Sequence, residues 1–269
     1  MTAGDRQIRT SPVRLFFLLT FLFSWSVWLW AAHLAAGAGG WWSAAVHMAG
    51  LCGPTIAAAI MSGLLYGGSG VGALLKRIAA WRVGVGWYLF ANLSALGLGG
   101  AAIGLHALMG GATPPLSQPL VPLQAVGAGL WEEYGWRGFA LPHLSRRYGA
   151  LRASLIIAFV WVLWHLPIAP ALKSPVVFIM FLVEVAPLSI LFTWLYANTG
   201  GSILLAVLYH QACNAVVNAL NIPASPSLWA VYVALLWLCA LLAVVRFGGP
   251  RLNGRRGWTA PSSLEEPSP

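Results

Sequence analysis

Two adjacent carboxylates and one guanidinium stand close together in a long apolar part of the sequence. Residues 131–142 read WEEYGWRGFALP and contain Glu132, Glu133 and Arg137, with apolar segments before and after them. Only six residues of the chain are acidic. A charge at bilayer depth costs about 2.5–3.5 kcal/mol on insertion scales, so charges persist there mainly when they have a partner or a chemical role.

The spacing within this segment predicts which charges pair. Glu133 and Arg137 lie four residues apart on one helix face with the acid first, which is the favourable orientation for an ion pair. The pair has two interpretations, a structural link that stabilises the helices or a part of a reaction site. Glu132 is rotated by about 100° from that face and is left as the candidate general acid or base.

Two histidines and two asparagines supply further candidates. His210 and Asn214 lie four residues apart on one face of an apolar segment, and Asn218 extends that face by one turn. Asn218 could belong to the site or hydrogen-bond to a neighbouring helix. His165 lies in WVLWHLP near the end of another apolar segment, where a lone histidine is usually interfacial or core.

Glu184 and the three cysteines also lie in apolar segments, but they indicate a function less clearly. Glu184 could pair with Lys173, line a cavity or bridge to a neighbouring helix. The three cysteines have no metal-binding spacing and are interpreted as small core residues. They are Cys52, Cys213 and Cys239.

The composition places these candidates in a membrane protein. The chain has 269 residues, of which 59% are hydrophobic and 8% are charged, and its mean hydropathy is +0.77. A soluble protein carries about a quarter charged residues. We therefore predict an all-α, polytopic bundle of about eight transmembrane helices, with a kink at Gly53-Pro54 in the second. The predicted spans are residues 13–37, 42–66, 85–109, 120–141, 152–168, 175–197, 202–221 and 227–246.

The basic residues orient this bundle. In the eight-span arrangement, all but two of the fifteen Lys and Arg residues fall on the side of the termini, the exceptions being Lys173 and Arg137. Cytoplasmic loops carry the excess of basic residues, so both termini are predicted to be cytoplasmic, with the protein in the plasma membrane. The predicted divisions are a cytoplasmic segment 1–12, a transmembrane domain 13–247 with its motif-bearing core at 120–221, and a disordered cytoplasmic tail 248–269.

Several functions have no support in the sequence. It contains no GxSxG elbow, no GxxxxGK[ST] loop and no HExxH motif. The net charge of +9 does not indicate nucleic-acid binding, because the basic residues recur at intervals as loop charges do.

The combination of motifs resembles one family of membrane proteases. Glu132-Glu133-x-x-x-Arg137, then His165 at the end of a span, then His210-x-x-x-Asn214 are similar to the motifs of the CPBP family. This family includes the CAAX prenyl endopeptidases and the bacteriocin-processing or self-immunity proteins, also called the Abi family. The resemblance covers most of residues 45–220, and its motifs are specific in combination.

The resemblance implies an eight-helix intramembrane endopeptidase in which Glu132 and His165 activate a water molecule. His210 and Asn214 would stabilise the oxyanion of the tetrahedral intermediate. The remaining motif residues, with an orienting or structural role, would be Glu133, Arg137 and Trp161. The family usually has phenylalanine where Trp161 stands, so the aromatic ring is kept.

The resemblance leaves the cofactor and the substrate open. The family is often described as metalloproteases, and Glu132, His165 and His210 could ligate zinc. A glutamate-activated water explains the same residues without a metal, and asparagine is a poor zinc ligand, so we favour no metal cofactor. The expected partners are the lipid bilayer and a membrane-associated or lipidated protein or peptide. A prenylated CAAX protein, a bacteriocin leader and a membrane-bound regulator are all candidates.

Two other classes of function compete with the protease. A non-catalytic binding or bacteriocin self-immunity protein of the same fold would use these polar residues to lock its helices together. An ion- or proton-coupled transporter is a third class, although the sequence shows no repeated halves of the kind many transporters carry.

Overall fold

The computed structural model of the protein describes residues 12–34, 41–116, 123–169 and 174–253. Every regular element within these ranges is helical, which confirms the all-α class. The α-helices, numbered in chain order, are α1 (Pro12–Leu34), α2 (Trp41–Leu51), α3 (Gly53–Lys76), α4 (Val85–Leu108), α5 (Leu123–Gly135), α6 (Leu141–Tyr148), α7 (Ala150–Trp164), α8 (Pro175–Asn198), α9 (Ile203–Ala219) and α10 (Pro226–Phe247). A π-helix at Trp136–Ala140 joins α5 to α6, and 3-10 turns lie at Arg77–Ala79 and Ile222–Ala224.

Five helical segments in the described ranges are long and apolar enough to cross a membrane, so the protein is a multi-pass membrane protein. They are Pro12–His33, Ala45–Ala79, Val85–Leu108, Pro175–Asn198 and Pro226–Phe247. The apolar helices α7 and α9 are shorter, and at 1.5 Å per residue they reach roughly 22–26 Å, less than the ~30 Å of a hydrocarbon core. The count of eight spans and the cytoplasmic termini therefore stay predictions.

The second predicted span differs most from the structure. Helix α2 ends at Leu51, and α3 begins at Gly53 with Pro54 in its first turn. Proline has no N–H to donate to a preceding turn but suits the first turn of a helix, so the predicted kink is a helix start. Helix α3 then continues beyond residue 66 to Lys76, through an interruption at Gly67, whose φ is +64°.

The motif-bearing helices are enclosed by other helices of the bundle. Helix α5 packs against α3 and α9, helix α7 packs against α6 and α8, and helix α9 also contacts α4. Every residue from 132 to 142 is buried. The charged segment therefore lies in the protein interior, where its polar groups can find hydrogen-bond partners only among other side chains and backbone groups.

The π-helix is a feature that the sequence prediction of a plain helix over 120–141 missed. The Gly138 carbonyl within it accepts a hydrogen bond from Nη1 of Arg77, at 2.7 Å, and the same nitrogen donates to the Tyr196 hydroxyl, at 3.2 Å. Arg77 is only 8% exposed, although the sequence placed it among the loop charges. π-Helical turns leave backbone groups without regular partners and occur often at functional sites.

The start of the predicted tail packs against the bundle. The backbone N–H groups of Ala150 and Leu151 donate to the carbonyls of Pro250 and Gly249, at 2.8 and 3.0 Å, and Leu252 is fully buried. Residues 1–11, Lys173 and residues 254–269 lie outside the described ranges. The division of the chain into a segment, a domain and a tail therefore stays a prediction.

A close approach of α5 to α3 fixes where the charged segment begins. A Cβ atom added at Gly135 would lie 2.7 Å from the backbone carbonyl carbon of Pro54. This is closer than a Cβ atom can approach a backbone atom, so only glycine fits here. The Thr55 hydroxyl donates to the carbonyl of Trp131, and the Tyr134 hydroxyl donates to that of Leu75, at 3.2 Å. Glycine at position 135 thus permits helix-to-helix contact just before the π-helix.

Substituting this glycine tests the packing. Gly135→Ala should destabilise the protein by about 1–3 kcal/mol, because the backbone of α3 must move to admit a methyl group. The measurement is thermal unfolding of the purified protein in mild detergent. The matched control is Gly100→Ala in α4, where an added Cβ meets no atom within 4 Å. Equal stability of the two variants would contradict the packing described here.

Candidate active site

The fully buried carboxylate of Glu133 joins two of the sequence motifs. Its Oε1 accepts hydrogen bonds from Nη1 of Arg137, at 3.1 Å, and from Nδ1 of His210, at 2.8 Å. The predicted pair between Glu133 and Arg137 is therefore confirmed, and both side chains are 0% exposed. The contact with His210 comes from another helix and links α9 to α5.

A second glycine allows α9 to come this close. A Cβ atom on Gly129, one turn before Glu133 in α5, would lie 3.2 Å from Cβ of His210 and from the carbonyl oxygen of Val207. Any larger side chain would push α9 away from α5. The small residue therefore places the imidazole of His210 within reach of the carboxylate.

The Arg137 guanidinium has further partners besides Glu133. Its Nη2 donates to the Ser189 hydroxyl, at 3.4 Å, and its central carbon lies 4.5 Å from the ring centroid of Phe192 and 5.2 Å from that of Trp161. Aromatic faces attract cations more strongly when water is excluded. These contacts offset part of the cost of burying the guanidinium and fix the charged side of the site against α8.

Glu132 has a different environment from its neighbour. Its Oε2 accepts a hydrogen bond from Nε1 of Trp161, at 2.6 Å, and a longer one from Nε1 of Trp136, at 3.4 Å. The residue is 3% exposed. Within the described part of the chain, no donor contacts its other oxygen, Oε1. Glu132 is thus a buried carboxylate held by neutral donors, with one oxygen left for a further partner.

His165 caps the end of α7 and has a defined tautomer. Its Nδ1 lies 2.7 Å from the carbonyl oxygen of Trp161, and because a carbonyl can only accept, Nδ1 carries the proton. The neutral ring then presents Nε2 as an acceptor. The ring packs against Trp164 and Phe181, with centroid distances of 5.0 and 5.5 Å.

Trp161 lies where these residues meet. Its indole bonds Glu132, its carbonyl bonds His165, and its ring is edge-on to His210 with centroids 5.4 Å apart. No direct hydrogen bond joins Glu132 to either histidine among the described residues. Glu132, His165 and His210 thus each contact Trp161.

Asn214 follows His210 by one turn of α9, as the spacing predicts. It is partly buried, and its backbone carbonyl accepts from Nδ2 of Asn218, at 2.7 Å. Its side-chain amide forms no hydrogen bond with the described residues, which leaves the amide N–H groups of Asn214 for a ligand. The Asn218 side chain thus forms a hydrogen bond within its own helix.

Glu184 lies apart from this cluster and has its own partner. Its Oε2 accepts from the indole N–H of Trp229 on α10, at 2.7 Å. Of the three roles left open by the sequence, the bridge to a neighbouring helix is the one observed, whereas Lys173 lies outside the described residues. Glu184 thus links α8 to α10.

A metal site was the other interpretation of the cluster. Within the described ranges, no group of three or more His, Cys, Asp or Glu side chains is arranged to hold a metal ion. The Nδ1 atoms of the two histidines are directed to the Trp161 carbonyl and to Glu133, and Oε2 of Glu132 accepts both indole hydrogen bonds. The absence of a metal cofactor, and the alternative of zinc held by Glu132, His165 and His210, both stay predictions.

Comparison with known proteins identifies the motif-bearing segment. Residues 114–216 match the family of type II CAAX prenyl endopeptidases, Rce1-like. The resemblance that the motifs predict is confirmed over this segment, which contains all the residues of the cluster from Glu132 to Asn214. The chain is also similar to CAAX prenyl protease 2 of Methanococcus maripaludis, with 32% identity over 96 residues. That alignment covers 32% of this chain and 35% of the relative, so the similarity extends over about a third of each protein.

Proposed function

We propose that the protein is an intramembrane endopeptidase that hydrolyses a peptide bond near a prenylated, CAAX-type chain end. The observation that carries the proposal is the meeting of Glu132, His165 and His210 around Trp161, inside a segment that matches a CAAX endopeptidase family. The substrate class follows the names of that family and of the archaeal relative. Its lipid would lie in the bilayer that surrounds the apolar helices.

Glu132 and His165 form the water-activating side of the proposed site. The Nε2 atom of His165 and the Oε1 atom of Glu132 are acceptors, and one water molecule has two protons to donate. Glu132 takes a proton as the water oxygen attacks the scissile carbonyl carbon, because a carboxylate in a water-poor site is a stronger base than in solution. The π electrons of the carbonyl move to its oxygen, which becomes the oxyanion.

His210 and Asn214 form the oxyanion-stabilising side. With Nδ1 of His210 bonded to Glu133, its Nε2 is the ring nitrogen available to the substrate. In the proposed scheme the His210 ring acts as an imidazolium, in which Nε2 carries a proton and donates it in a hydrogen bond to the oxyanion. The side-chain amide of Asn214 supplies a second donor one turn away. Fixed donors in a water-poor site stabilise developing negative charge strongly, since they need no reorganisation.

Collapse of the tetrahedral intermediate completes the reaction. The oxyanion re-forms the carbonyl, the C–N bond breaks, and the proton held by Glu132 passes to the leaving nitrogen. The products are a new carboxyl terminus on the membrane-bound part and a short peptide with a free amine. Glu132 returns to its ionised form, so the cycle needs no covalent enzyme intermediate and no metal ion.

The proposed cellular setting is the plasma membrane, with both termini in the cytoplasm. The support is the distribution of the loop charges along the chain, which the eight-span arrangement gathers on one side. The site would then face a bilayer in which prenylated chain ends are anchored on the cytoplasmic side.

Substituting the proposed base tests the reaction. Glu132→Gln should lower cleavage by about 10²–10⁴-fold, the usual contribution of a general base, while its amide oxygen can still accept the indole bonds. The measurement is cleavage of a fluorescent farnesylated CAAX peptide by full-length protein in liposomes. The matched control is Glu184→Gln, which changes another indole-bonded acid and should keep wild-type activity and folding.

Three results would count against the proposal. Equal cleavage by wild type and Glu132→Gln would exclude Glu132 as the base. Failure of the wild-type protein to cleave the farnesylated peptide would exclude the proposed substrate class. Loss of thermal stability in step with loss of activity would favour the non-catalytic, helix-locking alternative.

Metal removal provides a separate prediction. Because the proposed water is activated by Glu132 and His165 alone, dialysis against a strong chelator should leave the rate of peptide cleavage unchanged. Elemental analysis of the purified protein should find zinc well below one atom per chain. A loss of activity that added zinc restores would show that Glu132, His165 and His210 act as metal ligands instead.

A further inference from the structure

The hydrogen bonds that hold the proposed base, Glu132, reach only one of its two carboxylate oxygens. Both indole donors, Trp161 at 2.6 Å and Trp136 at 3.4 Å, contact Oε2 of Glu132. The shorter bond joins α7 to α5, whereas Trp136 lies one turn after Glu132 in the same helical segment. Since a carboxylate rotates freely about its last bond unless donors fix it, the Trp161 bond determines which oxygen faces the histidines.

The rest of Trp161 is fixed by its other contacts. Its ring lies edge-on to Phe192 and His210, at centroid distances of 6.1 and 5.4 Å, and next to the Arg137 guanidinium. It is 5% exposed. A ring confined on several sides presents its N–H in one direction, so the hydrogen bond to Glu132 is preorganised rather than formed on demand.

We propose that Trp161 is a positioning residue whose indole N–H holds Oε2 of Glu132, so that Oε1 is the oxygen that receives the proton of the attacking water. This inference rests on the proposed endopeptidase function. The same residue binds His165 through its backbone carbonyl, so it places both groups of the water-activating side. Phenylalanine, usual at this position in the resembling motif, would fill most of the same space without a donor.

The test is Trp161→Phe, which removes the N–H while it keeps an aromatic ring and the carbonyl that binds His165. Cleavage of the farnesylated CAAX peptide in liposomes should show kcat lowered roughly tenfold to a hundredfold, the range for a hydrogen bond to a charged group. KM should stay near the wild-type value, because the indole does not contact the substrate in this scheme.

The matched control is Trp194→Phe in α8. The indole N–H of Trp194 is buried and has no hydrogen-bond partner among the described residues, and its ring packs against Trp87 and Phe90, away from Glu132. This variant makes the same change in volume and should keep wild-type kcat. Equal losses of kcat in the two variants would show that Trp161 acts only through packing.

The remaining outcomes separate this inference from the proposed function. Wild-type kcat in Trp161→Phe, with Glu132→Gln inactive, would overturn the positioning role and leave the endopeptidase intact. A higher kcat would show that the indole competes with water for Glu132, and a raised KM with unchanged kcat would place Trp161 in substrate binding. Both results would overturn the inference. No cleavage by the wild-type protein would instead overturn the function.

A spectroscopic measurement tests the contact without substrate. In protein labelled with ¹⁵N-tryptophan, the indole N–H signal that Trp161→Phe removes should lie at low field, as a short bond to a carboxylate requires. Glu132→Gln should move this signal upfield, because a neutral amide oxygen is a weaker acceptor. An unchanged signal would show that the indole of Trp161 does not bind Glu132.

Discussion

The interior of this protein depends on one buried carboxylate shared by two partners. Oε1 of Glu133 accepts hydrogen bonds from the Arg137 guanidinium in its own helical segment and from the His210 imidazole in α9. Removing one partner of a buried ion pair typically costs about 3–5 kcal/mol, because the remaining charge is left without compensation. The carboxylate therefore fixes the position of α9 relative to α5, and with it the position of His210.

This arrangement gives the two adjacent acids different roles. Glu133 is bound by the Arg137 guanidinium and the His210 imidazole, which fix its position. Glu132 is bound only by indole N–H groups, which orient a carboxylate without neutralising it. A neutralised carboxylate would be a poor base, whereas an oriented one in a water-poor site keeps its basicity. Gly129 and Gly135 of α5 make this arrangement possible, because they allow α9 and α3 to pack closely against α5.

The sequence predicts the parts of the site that lie within one helix. The Glu133–Arg137 pair, the shared face of His210 and Asn214 and most of the helix positions follow from helical periodicity and apolar length. The contact of Glu133 with His210 and the bond from Trp161 to Glu132 could not be predicted, because they depend on how separate helices pack. The π-helix and the buried Arg77 were also missed, since an extra residue in a turn leaves no periodic signal and a basic residue at a helix end resembles a loop charge.

The contact between Glu133 and His210 is best tested by a double-mutant cycle. The measurement is the free energy of unfolding in mild detergent for wild type, Glu133→Gln, His210→Asn and the double variant. If the two side chains bind each other as described, the single changes should couple by about 0.5–3 kcal/mol, the range for groups in one hydrogen-bond network. Additivity within about 0.5 kcal/mol, as for independent sites, would contradict the shared carboxylate at the centre of this fold.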